Sequence, residues 1–489
     1  MVEPLQSARI LGITTHFTSP KRRLWREFST PLPMPRLTRL LTLGTALVCL
    51  AVPAARAESY DNNNLPVPEN YFPALKGILS SAVSQSPRMV ARNAENASAE
   101  GNRIVMKAGQ LPTVSGYMNY YPYDRQVRAD LADPTTSNKL AYNLSISQPI
   151  FHWGALQNNT RIGELQLKMT QGQTAEGYRL LVQEIRSLYL QLIVKKAALG
   201  RARLAQQMAE DDFAVSQTKL EKKVISDADM FVPTIGRDKA RLGADQAAED
   251  YENNKLVFAK LCGVPVLSDD QVPDEIPALD GPAPVFEPMV TAFTSQKDLN
   301  SYNLRYIGDQ IEVEKLGYDN LTTRLRPQLN FVLGTSQDQQ SYTTNISAKY
   351  KVTDYFTGVQ VSWTIFDGFA TKGAVASSLA RRRQLEQSYR DLSANLADQA
   401  RNQLKLVNFA RRGMDISDRL LNSSAGAVRD KKADAARGLA SANDVNTYQL
   451  AYQEARINAF NARSDYLMKS SDFLSTLLED PALSNLPRP

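Results

Sequence analysis

Histidine and cysteine are scarce, with two of each in 489 residues. His16 and Cys49 fall in the N-terminal stretch, which leaves His152 and Cys262 for the rest of the chain. One thiol forms no intrachain disulfide, and one imidazole without a Cys pair builds no ordinary zinc or copper site. His152, beside Trp153, reads as a capping or interfacial residue. No Gly-rich phosphate loop follows a strand, and no basic-aromatic RNA-binding motif occurs. A net charge of +6 is modest for this length and gives no reason to expect nucleic acid. No spacing of carboxylates favours a hydrolytic pair. These absences point away from an enzyme and from any cofactor or metal. Long apolar runs are also missing. Leu40 to Val52 is about 13 residues, short of the ~20 that a spanning helix needs.

That run has another use. Arg36 and Arg39 precede it and Ala55-Arg-Ala57 follows, the layout of a secretory signal with a small-residue cleavage site. Cleavage would leave a mature chain starting near Glu58. Met1 to Pro33 reads as an upstream extension, because Met34 opens a well-formed signal by itself. Val48 stands before Cys49 where a lipoprotein signal needs a small residue, so lipidation is not expected.

What the sequence does have is a change of period. Leu140, Tyr142, Leu144 and Ile146 alternate with Asn143, Ser145 and Ser147, the pattern of a strand with one apolar and one polar face. After Gly154 helical spacing takes over for about 70 residues, on the order of 100 Å. The junction Gln148-Pro149-Ile-Phe151 through Gly154 recurs at Trp363-Thr-Ile-Phe366-Asp-Gly368, so that Phe151 maps to Phe366 (366 − 151 = 215). The same offset carries Pro112 to Pro327, Leu144 to Val359, and Asp229 to Asp444. One register over this span indicates an internal two-fold repeat of a large module.

The chain divides accordingly. Residues 1–57 are extension and signal, 58–263 the first repeat, 264–299 a Pro-rich linker, 300–480 the second repeat, and 481–489 a frayed tail. Each repeat holds a helix, a β-hairpin, a long helix and a second helix. The first helix is expected from Leu75 to about Ala108. Its hairpin has strands of about ten residues around a loop from Tyr121 to Lys139, and the long helix runs from Ala155 to Lys222. Asp227 or Asp229 is expected to cap the next helix, which ends near Lys260. In the second repeat the helix spans Asn300 to Thr323. The strands Pro327–Ser336 and Phe356–Phe366 flank a loop from Gln337 to Asp354. The helices Thr371–Ala435 and Asn443–Leu478 follow. Leu181, Ile185, Leu188, Leu192 and Leu199 give the 4-3-4 spacing of a coiled-coil seam.

Ten-residue strands with opposed faces are long enough to cross a membrane when tilted. Leu144, Ile146, Val359 and Val361 are then the lipid-facing positions, with Asn143, Ser145, Gln360 and Ser362 toward a lumen. Tyr117, Tyr120, Tyr121, Tyr123, Tyr142, Trp153, Tyr355 and Trp363 suit aromatic girdles. Four strands have two open edges that lipid does not tolerate, so other copies must close the barrel. Arg381-Arg-Arg383 reads as a solvated helix face.

With these features in place, the chain resembles the TolC-like outer membrane factor family from roughly Leu75 to Asp480. The most specific points are Pro112 and Pro327 opening strands, the two hairpin-closing junctions, and the helix restarts at Asp229 and Asp444. The resemblance implies an α+β membrane protein, a homotrimer whose four strands per chain close a twelve-stranded barrel continued by an α-helical coiled-coil barrel. It also implies a place in the outer membrane, with the helical tunnel in the periplasm and outer membrane lipid around the strands. It further implies a passive export duct of a tripartite efflux pump or type I secretion system, working with a periplasmic adaptor and an inner membrane pump. Asp444 matches a gate-ring position and Asp229 an acid of the gate network. The second ring position is Thr447 and the locking tyrosine is replaced by Ala435, which leaves Arg437 or Lys431 as gate partners. Helix-start acids need no gate to explain them, since a carboxylate suits the positive end of a helix. The competing reading is a secreted coiled-coil structural or adhesive protein without a channel. The cargo is not written in the sequence.

Overall fold

The computed structural model describes residues 65–127, 135–279, 286–344 and 346–486. The signal and upstream extension lie outside the described residues. Two helices of 67 residues dominate, α4 (Ala155–Glu221) and α8 (Ala370–Ala436), and they start 215 residues apart. Before α4 come α1 (Pro68–Tyr71), α2 (Pro73–Gln85), α3 (Pro87–Ala108) and the hairpin of β1 (Thr113–Gln126) and β2 (Thr135–Phe151). After α4 come α5 (Phe231–Cys262), α6 (Glu287–Thr294) and α7 (Tyr302–Thr323). The second hairpin, β3 (Gln328–Thr344) and β4 (Ile346–Ser362), leads into α8, and α9 (Ala442–Thr476) follows. Helix, hairpin, long helix, helix thus occurs twice.

The first helix is broken where the spacing predicts one continuous element. Pro87 disfavours helical backbone at the preceding residue. Ser86 is accordingly extended, with ψ 129°, and it is buried, its hydroxyl donating to Leu261 O at 2.8 Å. Close by, Gly263 ends α5 with φ +72°, and a Cβ there would lie 2.1 Å from Gln85 O. A left-handed cap and a backbone approach this tight both require glycine.

The four strands form one antiparallel sheet in the order β1-β2-β3-β4. They are 14 to 17 residues long, not ten, and the expected loops are shorter. β3 and β4 pair out to Thr344 opposite Ile346, through the stretch read as a polar loop. β3 turns polar past Gly334 while its backbone ladder continues, whereas Ile346, Ala348, Tyr350 and Val352 of β4 do alternate with Ser347, Lys349 and Lys351, a strand pattern inside the expected loop. β4 ends at Ser362, so Phe366 belongs to the connection and not to the strand. Within β1 the register shifts between Tyr121 and Asp124, around Pro122, where the missing N–H cannot join a ladder.

The core sits midway along α4. Tyr178, Leu181, Val182, Ile185, Tyr189, Leu192 and Ile193 are buried under α2, the end of α5 and the inter-repeat segment. The seam residues Leu181, Ile185, Leu192 and Leu199 are buried as expected, but Tyr178, Val182, Tyr189 and Ile193 are buried as well, so this stretch is covered on more than one face. Tyr189 packs edge-on to Phe72 at 5.5 Å and lies tilted against Phe258 at 5.9 Å. Arg186 is fully buried among them. Its guanidinium donates to Glu69 (3.0 and 2.5 Å) and to Asp480 (2.5 and 2.7 Å). Burial works against that charge, but the two carboxylates outweigh it and hold the pKa of Arg186 above its ordinary value. Pro481–Asn485 is therefore not a frayed tail over its described length. It forms a 3-10 turn with Ala482 buried, and Asn485 donates to the hydroxyl of Tyr178. The Pro-rich linker is likewise docked. Arg463 of α9 donates to Ile276 O at 2.5 Å and to Asp418 of α8 at 2.9 Å, and α6 falls within the linker. Burial pushes the Cys262 thiol up to about 12.

Candidate functional site: sheet faces, junctions and helical tips

Pairing settles which strand residues share a face. Ile146 lies opposite Val114 and Leu333, Leu144 opposite Thr335, and Val359 and Val361 opposite Phe331 and Leu329. Leu144, Ile146, Val359 and Val361 therefore stand on one face with Val114, Met118, Leu329, Phe331 and Leu333. Leu144, Val359, Val361, Leu333 and Phe331 are exposed there, although apolar. The opposite face carries Ser115, Asn143, Ser145, Asn330, Gln360 and Ser362. Ser115 and Ser145 hydroxyls meet across it at 3.0 Å. Gly334, on the same face, leaves room for the Phe356 ring, which a Cβ would approach to 2.5 Å. No described helix is long and apolar enough to cross a membrane.

At the sheet's end Pro149 introduces a bulge, and Phe151 comes opposite Leu329 on the apolar face. Phe151 packs edge-on to Trp153 at 4.9 Å. Gly154 then takes φ +85° to start α4, and Gly368 takes φ +66° ahead of α8. His152 meets Asn330 Oδ1 at 2.8 Å, a side-chain contact on the polar face, while the start of α4 has no side-chain cap. Less legible in the residue pattern is a hydrogen bond that recurs at the same offset. Gln148 Nε2 donates to Gln110 O at 2.9 Å, and Trp363 Nε1 donates to Leu325 O at 2.9 Å. Both donors and both acceptors stand 215 residues apart, although an amide has become an indole.

At the far ends of the long helices, the turns before α5 and α9 are built alike. The caps are Ser226 and Ser441, which corrects the expectation that Asp227 or Asp229 fills that role. Ser441 offers its backbone N–H (2.9 Å) and hydroxyl (2.8 Å) to Asp444 Oδ2, and its Oγ accepts from Asp444 N at 3.1 Å. Ser226 makes the matching bonds to Asp229 at 2.9 and 2.7 Å. These are capping boxes, with each aspartate at the third helical position. The Ser441 backbone and hydroxyl bonds hold Asp444 below the usual carboxylate range, and the Lys431 charge adds to them. Ser226 does the same for Asp229. Both acids are exposed and charged at neutral pH. The spacing Ser-x-x-Asp stands in both copies and is a sufficient signal for the serine cap, because the two side chains satisfy each other's backbone N–H only at that separation.

The remaining gate candidates divide. Thr447 donates its hydroxyl to Asn443 O at 2.9 Å, back along its own helix. Arg437 caps α8 through its backbone N–H, and Gly438 turns the chain with φ +77°. Of the two basic candidates, Lys431 is the one whose charge bears on Asp444; it also pairs with Asp434 at 3.4 Å and lies 5.7 Å over the Tyr448 ring. Pro149, Phe151, Gly154 and Gly368 lie together at the sheet-to-helix boundary, apart from the gate candidates.

The family model described as outer membrane efflux protein matches residues 78–227. No curated protein matches the sequence. Among solved structures the chain is similar to the Campylobacter jejuni CmeC outer membrane channel, with a TM-score of 0.62 at 12% identity over 82% of this chain and 85% of that one. It is also similar to the open state of the Neisseria gonorrhoeae MtrE outer membrane channel, with a TM-score of 0.61 at 12% identity over 85% and 93%. A third is the outer membrane protein VceC of Vibrio cholerae, with a TM-score of 0.59 at 12% identity over 84% and 97%. The fold is that of TolC-like outer membrane factors, and residues 78–227 are the part that matches the outer membrane efflux protein model.

Proposed function

We propose that this chain is the outer membrane duct of an export assembly, a tripartite efflux pump or type I secretion system, passive in itself and opened by a periplasmic adaptor and an inner membrane transporter. The observation that carries the reading is the division of the sheet into an exposed apolar face and a hydroxyl- and amide-bearing face, joined to helices of 67 residues. An exposed apolar sheet face is stable in lipid and a liability in water. A secreted adhesive coiled coil has no use for it. The open edges of β1 and β4 call for further copies of the chain, and α8 supports this with a second seam. Leu406, Phe409, Ile416 and Leu420 recur at coiled-coil spacing and are exposed in the single chain. We assign these to neighbours in a homotrimer of twelve strands, with the helices forming a periplasmic tunnel.

In this reading Asp444 forms an acidic ring at the tunnel's periplasmic entrance, and Asp229, Thr447 and Arg437 lie around it. Fixed carboxylates in a constriction favour cations. The test is single-channel recording with asymmetric salt on the reconstituted protein. Cation selectivity that weakens in Asp444→Asn, with the trimer intact, supports the reading. An unchanged reversal potential would leave Asp444 as a capping-box residue alone. Recovery of the mature protein as a soluble periplasmic monomer would sink the duct itself.

A further inference from the structure

The two sheet-to-helix junctions share a backbone plan but differ in what they present. In the first, the positions are Gly109, Leu111, Gln148 and Gly154; in the second, the residues 215 further on are Arg324, Arg326, Trp363 and Phe369. At these four positions the second junction carries two rings and two guanidinium groups, while the Trp153 ring of the first is replaced by Gly368. Trp363, Ile365, Phe366 and Phe369 are between 58% and 73% exposed. They are held outward and not merely loose. The Trp363 indole is fixed by its bond to Leu325 O, and Phe366 packs edge-on to Phe369 at 5.4 Å. Phe369 takes φ +67°, a left-handed conformation that is strained for a bulky residue and tolerated only where its surroundings impose it.

The position of this patch says what covers it. Trp363 follows directly on the odd-numbered row Tyr355, Thr357, Val359, Val361 of β4, so the rings stand in the chain just past the end of the sheet's apolar face. Arg324 and Arg326 lie at the patch's polar border, both exposed, and the Arg326 guanidinium sits 4.9 Å from the Trp153 ring centre. The carboxylate there, Asp367, is occupied by the Thr371 N–H (2.9 Å) and hydroxyl (2.6 Å), although it also feels the Arg324 charge. Rings beside an apolar face, edged by arginines where the helices begin, match a lipid that has acyl chains on one side and a phosphate on the other.

We propose that the second junction binds an anionic glycerophospholipid of the periplasmic leaflet, acyl chain against Ile365, Phe366 and Phe369, phosphate against Arg324 and Arg326. This rests on the reading above that the sheet lies in a membrane. The first junction carries Gly109 and Leu111 where the second has the arginines, so each chain carries one site, although Arg326 also reaches the Trp153 ring of the first.

The test uses the full chain with Trp25→Phe and Trp153→Phe, leaving Trp363 as the single indole. The protein is reconstituted in phosphatidylethanolamine vesicles doped with brominated phosphatidylglycerol or, in parallel, with brominated phosphatidylethanolamine at the same fraction. The brominated anionic lipid is expected to quench Trp363 at lower mole fraction. Each of Arg324→Gln and Arg326→Gln should raise the fraction needed by about fivefold, the equivalent of ~1 kcal/mol per basic group at an anionic surface. Equal quenching by the two lipids would overturn the proposal and leave an unselective aromatic belt. Absence of quenching by either, with the protein floating alongside the vesicles, would also overturn it, since a neighbouring copy then covers the patch. Protein that does not float with vesicles fails the membrane reading first, and this site with it.

Discussion

At the residue scale the two Ser-x-x-Asp boxes show how little separates a structural role from a gating one. Each aspartate already has its hydrogen bonds satisfied within its own turn, yet remains exposed and charged. Because folding depresses both pKa values, the stabilisation they give is present at neutral pH and is lost as pH falls through the folded-state values, below the ordinary ~3.9 of an aspartate. Amide exchange at the start of α9 should therefore accelerate below about pH 4 in the native chain and show no such step in Asp444→Asn. Removing the cap with Ser441→Ala should cost about 1 kcal/mol of local stability at neutral pH, and less once Asp444 is protonated. Gly263 makes a sharper demand. Gly263→Ala places a Cβ against Gln85 O in a left-handed residue, and a loss of roughly 2 kcal/mol or more is expected, read as a lower thermal midpoint.

At the scale of the element, the sheet's two faces are the most exposed part of the functional reading. Leu144 and Ser145 are neighbours in β2 and point to opposite sides. Leu144→Arg should cost roughly 2–4 kcal/mol if it lies near the bilayer midplane, whereas Ser145→Arg should be tolerated. Assembly into a detergent-resistant oligomer is the measurement, and equal yields for the two variants would place the apolar face elsewhere than in lipid.

For the whole molecule, the Arg186 cluster ties together segments far apart in the chain: Glu69 before the first hairpin, the middle of α4, and Asp480 after the last helix. Removing one member leaves buried charge without its counter-ion. Arg186→Met should destabilise by about 3–5 kcal/mol, seen as a lower midpoint in denaturant, and should release the C-terminal turn to proteolysis. The corresponding position in the second half is Arg401, exposed and paired, among the described residues, with its own-helix neighbour Asp398. The two halves are therefore alike in element order and unlike in how they are anchored.

The sequence by itself determined the element types, the bounds of α4 and α8 to within one or two residues, the opposed faces of the strands, and the resemblance to an efflux fold. All but the resemblance, which rests on particular junction motifs, follow from local period: side chains alternate in a strand and recur every 3.6 residues in a helix wherever one side meets a different medium. Tertiary structure alone decided that the strands run past the apolar band, that the C-terminal turn and the Pro-rich segment are docked, and that Arg186 is buried between two carboxylates. Strand pairing beyond the band needs a neighbouring backbone, and β3 gives little sign of it, although Ile346, Ala348, Tyr350 and Val352 of β4 do alternate with Ser347, Lys349 and Lys351. A buried arginine looks in sequence like any charge on a helix, because what neutralises it comes from residues 117 and 294 positions away.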